Sequence, residues 1–358
     1  MTPYRVGLVG AGHISRTHAL SMQRLSGGHV VAVWSRTRTR AETFAKEFSL
    51  ELATDRVDEL VGAVDVVCVN SPNACHAEHA ILAARAGKHV IVEKPLAVNL
   101  EEARAMIEAA REAGVGLAYA EELPFVPKFV RAREILRSGT LGDPLYVTQR
   151  EAHAGPYSPW FFTREEAGGG VLMDMACHSI ECVRWLLGKP PVTRVTARLA
   201  TLDPSRGPLD DHAVVQLEFA NGASATCEAS WLLQGGMQSR LEIWGTRGYL
   251  DVDLLHGSGM RQYSKGGGAG SAGWSMAHAD YLQENGYPQE LAHFLDCFRE
   301  GRTPDESGED GLAVLEILCA AYASAREGRW IELPFEPTGV RYAVDLWLGE
   351  GWAPKAHP

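Results

Sequence analysis

Residues Tyr4–Ser15 read YRVGLVGAGHIS, a short apolar run that breaks into a glycine-bearing turn and then into helix-forming sequence. Such a run fits a strand covered on both faces. Gly10 permits a tight turn after it, and Gly12 lets backbone approach a pyrophosphate seated over the N-terminus of the next helix. Ser15 stands where the third glycine of that fingerprint falls. The strand-turn-helix context assigns a dinucleotide site to Gly10, Gly12, His13 and Ile14; the alternative is a glycine turn with no ligand.

The same alternation continues to about Ala118, through HVVAVW, VDVVCV, HVIVE and VGLAY, with amphipathic stretches between. This is the βαβ pattern of a parallel sheet. In the helix from Asn99 to Ala113, Asn99 reads as N-cap, Glu102 as its capping-box partner and Gly114 as the stop. The fold class expected is α/β, a doubly wound parallel Rossmann sheet over residues 1–122. From Leu145 the pattern changes to LYVTQREAHA, VTRVTARLAT, HAVVQLEFA, ASATCEASWLL, SRLEIWG and GYLDVDLL. Asn221-Gly222 marks a hairpin among them. A C-terminal α+β domain with a large open mixed or antiparallel sheet is expected over 123–334, with such a sheet able to serve an oligomer interface. Gly257–Gly273 reads as a mobile surface loop, a plain linker in preference to a lid. Ser307 and Asp310 cap a helix over 308–326 that is expected to pack back towards the first domain. A tail over 335–358, carrying Tyr342, Trp347 and Trp352, is expected to dock.

Length and composition set the frame. With 358 residues, 46% of them hydrophobic and 22% charged, two ordinary globular domains are the natural reading. A formal net charge of −11 argues against non-specific nucleic-acid binding and against an anionic membrane surface. The seven cysteines are scattered with no C-x-x-C pair, so they read as reduced thiols. No apolar run is long enough to span a bilayer, and MTPYRVGLVGAG enters a strand directly without the basic n-region and cleavage site of a signal peptide, so none is expected. Cytoplasm is the expected compartment.

After the second strand the chain reads Trp34-Ser35-Arg36-Thr37-Arg38, without the acid that would hold an NAD ribose. A hydroxyl and guanidinium groups suit a 2′-phosphate. The cofactor expected is therefore NAD(P), leaning to NADP through Ser35 and Arg36; the alternative is that Arg36 or Arg38 solvates a helix start. Ser71-Pro72-Asn73, with His76 close behind, and Glu93-Lys94-Pro95 end the next two strands of the pattern, where ligands of open parallel sheets bind. A lysine there, beside a proline open to the cis form, is poorly explained as a solvated surface charge. Further on, Gly168–Glu181 reads GGGVLMDMACHSIE. It leads glycines into a helix that sets Asp174 and His178 one turn apart on one face. Such a pair can bind metal or transfer protons, or it can be a core histidine satisfied by its neighbour.

The order of GAGHIS, SPNACH, GKHVIVEKPLA, GGGVLMDMACHSIE and SGEDGLAVLEILCAAYASAREGR resembles the Gfo/Idh/MocA family of sugar and cyclitol oxidoreductases over nearly the whole chain. The resemblance implies a Rossmann domain for NAD or NADP and a C-terminal sheet domain for the sugar and for oligomer contacts. It further implies Lys94 between nicotinamide and substrate, Asp174 on substrate hydroxyls and His178 as general acid/base. Glu181 stands where many members carry Asp, and Glu121-Glu122 where relatives often place Asn or His near the nicotinamide.

Glu151 and His153 share a strand face. With Asp174 and His178 they compose either a polyol pocket or an O/N metal site, and the pocket is the reading retained, with no metal expected. Tyr157 and Trp160 begin an aromatic run that fits a sugar or nicotinamide wall, or structural packing. Lys94, Asp174 and His178 are thus the expected catalytic residues. Gly10, Gly12, His13, Ile14, Ser35, Arg36, Ser71, Pro72, Asn73, His76, Glu93, Lys94, Glu121 and Trp160 are expected at the cofactor. Lys94, Glu151, His153, Tyr157, Asp174 and His178 are expected at a small polyhydroxylated substrate, in a homodimer or homotetramer. Three rivals stand beside a dehydrogenase: a lyase or glycosidase working by transient oxidation with tightly held NAD, a non-catalytic dinucleotide-binding sensor, and a metal-dependent hydrolase or lyase.

Overall fold

Tyr4–Val9 forms β1, and Gly28–Trp34 (β2), Leu52–Thr54 (β3), Val66–Val69 (β4), His89–Glu93 (β5) and Leu117–Ala120 (β6) join it in one parallel sheet of order β3-β2-β1-β4-β5-β6. The computed structural model describes residues 2–255, 259–266, 272–278 and 285–349. Every residue of β4 is buried, as strands covered by helices on both faces require. The crossover order reverses between β1 and β4, which is where doubly wound sheets open a ligand crevice. Asn99 caps the helix Leu100–Ala113 by accepting the Glu102 N–H at 2.8 Å, and Gly114 ends it at φ 65°. β3, three residues long, was not foreseen; it exists by pairing with β2 rather than by an apolar run of its own.

Contacts divide the chain into two units, and the first contains Gly286–Leu315 as well as the residues up to Glu122. The uninterrupted second domain expected over 123–334 is corrected accordingly. The helix Tyr287–Glu300 buries Leu291, Phe294, Leu295 and Phe298. Phe298 fills the space over Gly116, just before β6, where a Cβ would lie 2.4 Å from its ring. The helix Gly308–Glu327 begins with Ser307 and Asp310 bonded to one another, Oγ to Oδ2 at 2.9 Å.

The second unit is built on Pro144–His153 (β7), Val192–Ala200 (β8), His212–Phe219 (β9), Ser224–Ser230 (β10), Met237–Gly245 (β11), Gly248–Asp253 (β12), Met260–Ser264 (β13), Gly273–His278 (β14) and Ile331–Glu332 (β15). Their order is β14-β13-β12-β11-β7-β10-β9-β8-β15. β7 and β10 run parallel and the other pairs antiparallel, which makes the sheet mixed. Burial alternates along β9 and β11, so one face is covered. Gly222 turns the β9–β10 hairpin at φ 85°. The loop expected over Gly257–Gly273 is corrected in part: Met260–Ser264 pairs with β12 and β14 as a strand. The remainder of that stretch lies largely outside the described residues.

Cys177–Leu187 forms a helix buried through Leu186, packed on β7 and β10. In the tail, Tyr342, Ala343 and Val344 are buried, and the Val344 N–H reaches the Gly168 carbonyl at 3.1 Å. Trp347 is half-buried, and Trp352 lies outside the described residues. No described helix is long and apolar enough to cross a membrane.

Candidate functional site

At the first turn, Gly10 has φ 125°, and a Cβ there would lie 2.5 Å from the Asn70 carbonyl oxygen. Only glycine fits. Gly12 differs: its backbone is extended and a Cβ would meet no heavy atom within 4 Å. Its missing side chain is not needed by the protein's own packing. It leaves open space at the N-terminus of the helix His13–Met22, which no side chain caps, and this cradle suits a pyrophosphate. Ser15, in place of the third glycine, donates its hydroxyl to the Gly10 carbonyl at 2.8 Å and accepts from Asn70 Nδ2 at 3.2 Å.

That network continues to the end of β5. Asn70 Nδ2 lies 3.3 Å from His18 Nδ1, and His18 Nε2 lies 2.9 Å from Glu93 Oε1. Burial raises the Glu93 carboxyl, but the hydrogen bond and charge of His18, with Lys94 and His76, pull it back below its ordinary value. Lys94 follows directly, joined to Pro95 by a cis bond. His76 is buried with both ring nitrogens spent on backbone, Nδ1 at 2.9 Å from the Pro95 carbonyl and Nε2 at 2.9 Å from that of Ser71. It joins the two strand ends. Ser71 Oγ meets His79 Nδ1 at 3.0 Å, while burial, His76 and Arg36 lower the His79 pKa to about 4.

Ser35 is buried and accepts the Thr37 N–H at 3.3 Å. Arg36 and His13 are exposed, Ile14 and Pro72 are half-buried, and Asn73 is buried. Arg38 pairs with Glu42 at 3.0 Å and Asp55 at 3.8 Å, so it is drawn to its own helix and to the segment after β3. Glu121 is wholly buried. It belongs to an acidic group with Glu93, Glu122 and Glu290, and burial followed by the repulsion of the other three raises Glu290 well above the carboxylate range.

In the second unit the glycine triplet leads to Asp174 and His178, both buried. Asp174 sits in a π-helical turn, Leu172–Ala176, and His178 in the α-helix that follows. This corrects the single regular helix expected. π turns widen the ladder by one residue and recur at functional sites. The Trp231 indole N–H donates to Asp174 Oδ2 at 2.9 Å. His153 Nδ1 accepts the Gly155 N–H at 2.9 Å, which leaves its ring proton on Nε2. Nε2 lies 3.8 Å from Asp174 Oδ2 and 3.1 Å from Met175 Sδ. His153 therefore neighbours Asp174.

Glu151 is instead tied to its own sheet, accepting from Gln149 Nε2 at 2.7 Å and Ser239 Oγ at 2.5 Å. Glu181 faces Arg184 and Lys189. Tyr157 is 86% exposed, and Trp160 stacks on Phe161 at 3.7 Å between centroids. Trp231 was read only as a strand residue. Its signal was available, because a buried tryptophan requires an acceptor for its indole N–H.

A reversing parallel sheet with an open glycine cradle in one unit, and a buried carboxylate and histidine in a mixed-sheet unit, are together the features of a two-domain dinucleotide-binding oxidoreductase. The model of the oxidoreductase family with NAD-binding Rossmann fold matches residues 4–121, and that of the GFO/IDH/MocA C-terminal domain matches 129–251. The 1,5-anhydro-D-fructose reductase of Ensifer adhaerens is 32% identical, covering 92% of this chain and 98% of its own. The myo-inositol 2-dehydrogenase of Thermotoga maritima is 29% identical over 92% and 98%. Among solved structures, GenD2 from gentamicin A biosynthesis in complex with NAD has a TM-score of 0.84 at 34% identity, covering 94% of this chain and 97% of that one. The chain belongs to the Gfo/Idh/MocA family of oxidoreductases and carries its NAD-binding Rossmann domain.

Proposed function

We propose that this protein transfers a hydride between nicotinamide and a secondary alcohol or ketone of a sugar, sugar acid or cyclitol. The observation that carries the reading is the buried Asp174, held by Trp231 and neighboured by His153, four residues before His178. Such a group of hydrogen-bonding side chains suits a polyhydroxylated ligand better than an apolar ketone. The names of the relatives, a reductase of an anhydro sugar and a dehydrogenase of an inositol, agree with it.

When bound, the nicotinamide supplies hydride acceptance or donation. A ring nitrogen of His178 takes the hydroxyl proton during oxidation and returns it during reduction. Lys94 Nζ places positive charge on the oxygen where negative charge develops. Asp174 accepts a neighbouring substrate hydroxyl and so orients the reacting carbon. Ser35 and Arg36 favour NADP, since a hydroxyl and a guanidinium suit a 2′-phosphate.

The protein is further read as a cytoplasmic homodimer or homotetramer. None of its seven cysteines is joined in a disulfide. The face for self-association is an aromatic row across the second sheet: Tyr146, Trp244, Tyr249, Tyr263 and Trp274 are successive register partners, with Trp244 50% and Trp274 63% exposed.

The test is absorbance at the reduced-nicotinamide band with NADP or NAD and pooled sugars, sugar acids and inositols, with His178→Ala as control. A rise lost in the variant, and faster with NADP, is expected. Dinucleotide binding without any rise would replace the reading with transient oxidation or with sensing.

A further inference from the structure

We infer that Asp210 and Tyr322 are positioning residues for the proposed reaction, acting as a remote cap that sets the segment bearing Asp174 and His178. The inference rests on the roles proposed above for those two residues.

A helix start leaves its first N–H groups without intrahelical partners, and a local Ser, Thr, Asp or Asn usually takes one of them. Here no local side chain caps the π turn. Three successive N–H groups converge instead on Asp210. The Gly170 N–H donates to its Oδ1 at 3.1 Å, the Leu172 N–H to its Oδ2 at 2.7 Å, and the Val171 N–H to its carbonyl oxygen at 2.7 Å. The Tyr322 hydroxyl donates to the same Oδ1 at 3.0 Å and lies 3.2 Å from the Gly170 nitrogen. Asp210 and Tyr322 are both wholly buried. The glycines are explained by this arrangement: a Cβ on Gly170 would lie 2.1 Å from the Asp210 carbonyl oxygen, and one on Gly169 2.3 Å from the Tyr322 hydroxyl.

The next residue extends the hold to the Asp174 side chain. The Asp211 carbonyl accepts the Trp231 backbone N–H at 2.9 Å, and the Trp231 indole in turn binds Asp174 Oδ2. Backbone and carboxylate of the same acid are thus located from one dipeptide, Asp210-Asp211. A cap that served only stability would need no such second arm. Displacing a reacting group by about 1 Å costs on the order of 100-fold in rate.

The test uses the full-length protein with Tyr322→Phe, Asp210→Asn and Asp210→Ala. The first readout is the ¹⁵N-indole resonance of Trp231, identified as the signal lost in Trp231→Phe and displaced in Asp174→Asn. It requires no turnover. The second is kcat and KM on whichever substrate of the nicotinamide screen reacts. Tyr322→Phe is expected to move the indole resonance and lower kcat about 10-fold with KM nearly unchanged. Asp210→Ala is expected to lower kcat about 100-fold, with Asp210→Asn, which keeps one acceptor, in between. Should Asp210→Ala not fold, Tyr322→Phe and Asp210→Asn decide the matter.

A lowered melting temperature with the indole resonance and kcat unmoved would overturn the inference and leave Asp210 a stability element. If no substrate turns over, the functional reading fails by itself, and the indole resonance still decides whether Asp210 and Tyr322 position Asp174.

Discussion

Glu290→Gln should change the shape of the protein's stability against pH. Glu290 is wholly buried, and both carboxyl oxygens lack a hydrogen-bond partner. Burial first, then the charges of Glu122, Glu93 and Glu121, hold its pKa well above the ordinary 4.5. The folded protein therefore keeps this proton to a higher pH than the unfolded chain, which gives it up near the ordinary 4.5. Between those two values the native state binds more protons than the unfolded state, so stability falls as pH rises. The slope is about 1.4 kcal/mol per pH unit. The loss accumulates at that slope from the unfolded value up to the folded one and is complete above it. Glutamine has nearly the same shape and cannot ionise. Its unmade hydrogen bonds add a constant offset of about 1–3 kcal/mol but no slope. Urea unfolding at pH 5, 6, 7 and 8 and fixed ionic strength, followed by tryptophan fluorescence and far-ultraviolet dichroism, measures both curves. The variant should gain on the wild type as pH rises. Parallel curves would refute the reasoning, since Glu290 would then ionise in the fold as it does in the unfolded chain.

Gly12→Ala should leave the urea midpoint unchanged while weakening NAD(P) binding by calorimetry at least ~10-fold, because its Cβ enters only the space of the cradle. Gly10→Ala, forced to a positive φ and against the Asn70 carbonyl, should instead cost more than ~1 kcal/mol of stability; equal effects of the two alanines would remove the cradle argument. Gly170→Ala should fail to fold or melt far below the wild type in a thermal scan, since its methyl overlaps the Asp210 carbonyl; a wild-type melting temperature would contradict the packing described around Asp210. Lys94→Ala and His178→Ala should each lower kcat/KM about 100- to 10,000-fold with dinucleotide affinity largely kept. Activity within a few-fold of wild type in either variant would take that residue out of the reaction.

Much of the fold was legible because its signals are local. β-branched runs such as VDVVCV must bury both faces, and Asn99 with Gly114 marks both ends of one helix by its own cap chemistry. Short strands were not. Leu52–Thr54 and Ile331–Glu332 carry too few residues to show a period, and Met260–Ser264 lies in a stretch whose glycines and serines read as loop. These become strands by pairing with a neighbour. The helix Tyr287–Glu300 shows the same boundary from another side. Its apolar stripe announces that one face is buried, but not that the covering residues belong to the first unit.

The candidate site divides along the same line. Gly10, Gly12 and Ser15 were readable because a strand, a turn and a helix start are contiguous, and the positive φ at Gly10 confines that position to glycine. Asp174 and His178 were readable as a pair four residues apart, but the π turn between them was not. The residues that hold Asp174 in place come from elsewhere in the chain: Asp210 is 40 residues from Gly170, Tyr322 is 152, and Trp231 lies 57 beyond Asp174. The sequence by itself determined which chemical groups this protein carries and where its first sheet turns to meet a dinucleotide. The tertiary structure alone decided which buried donors meet which acceptors, because a hydrogen bond in the interior answers to distance in space and leaves no period along the chain.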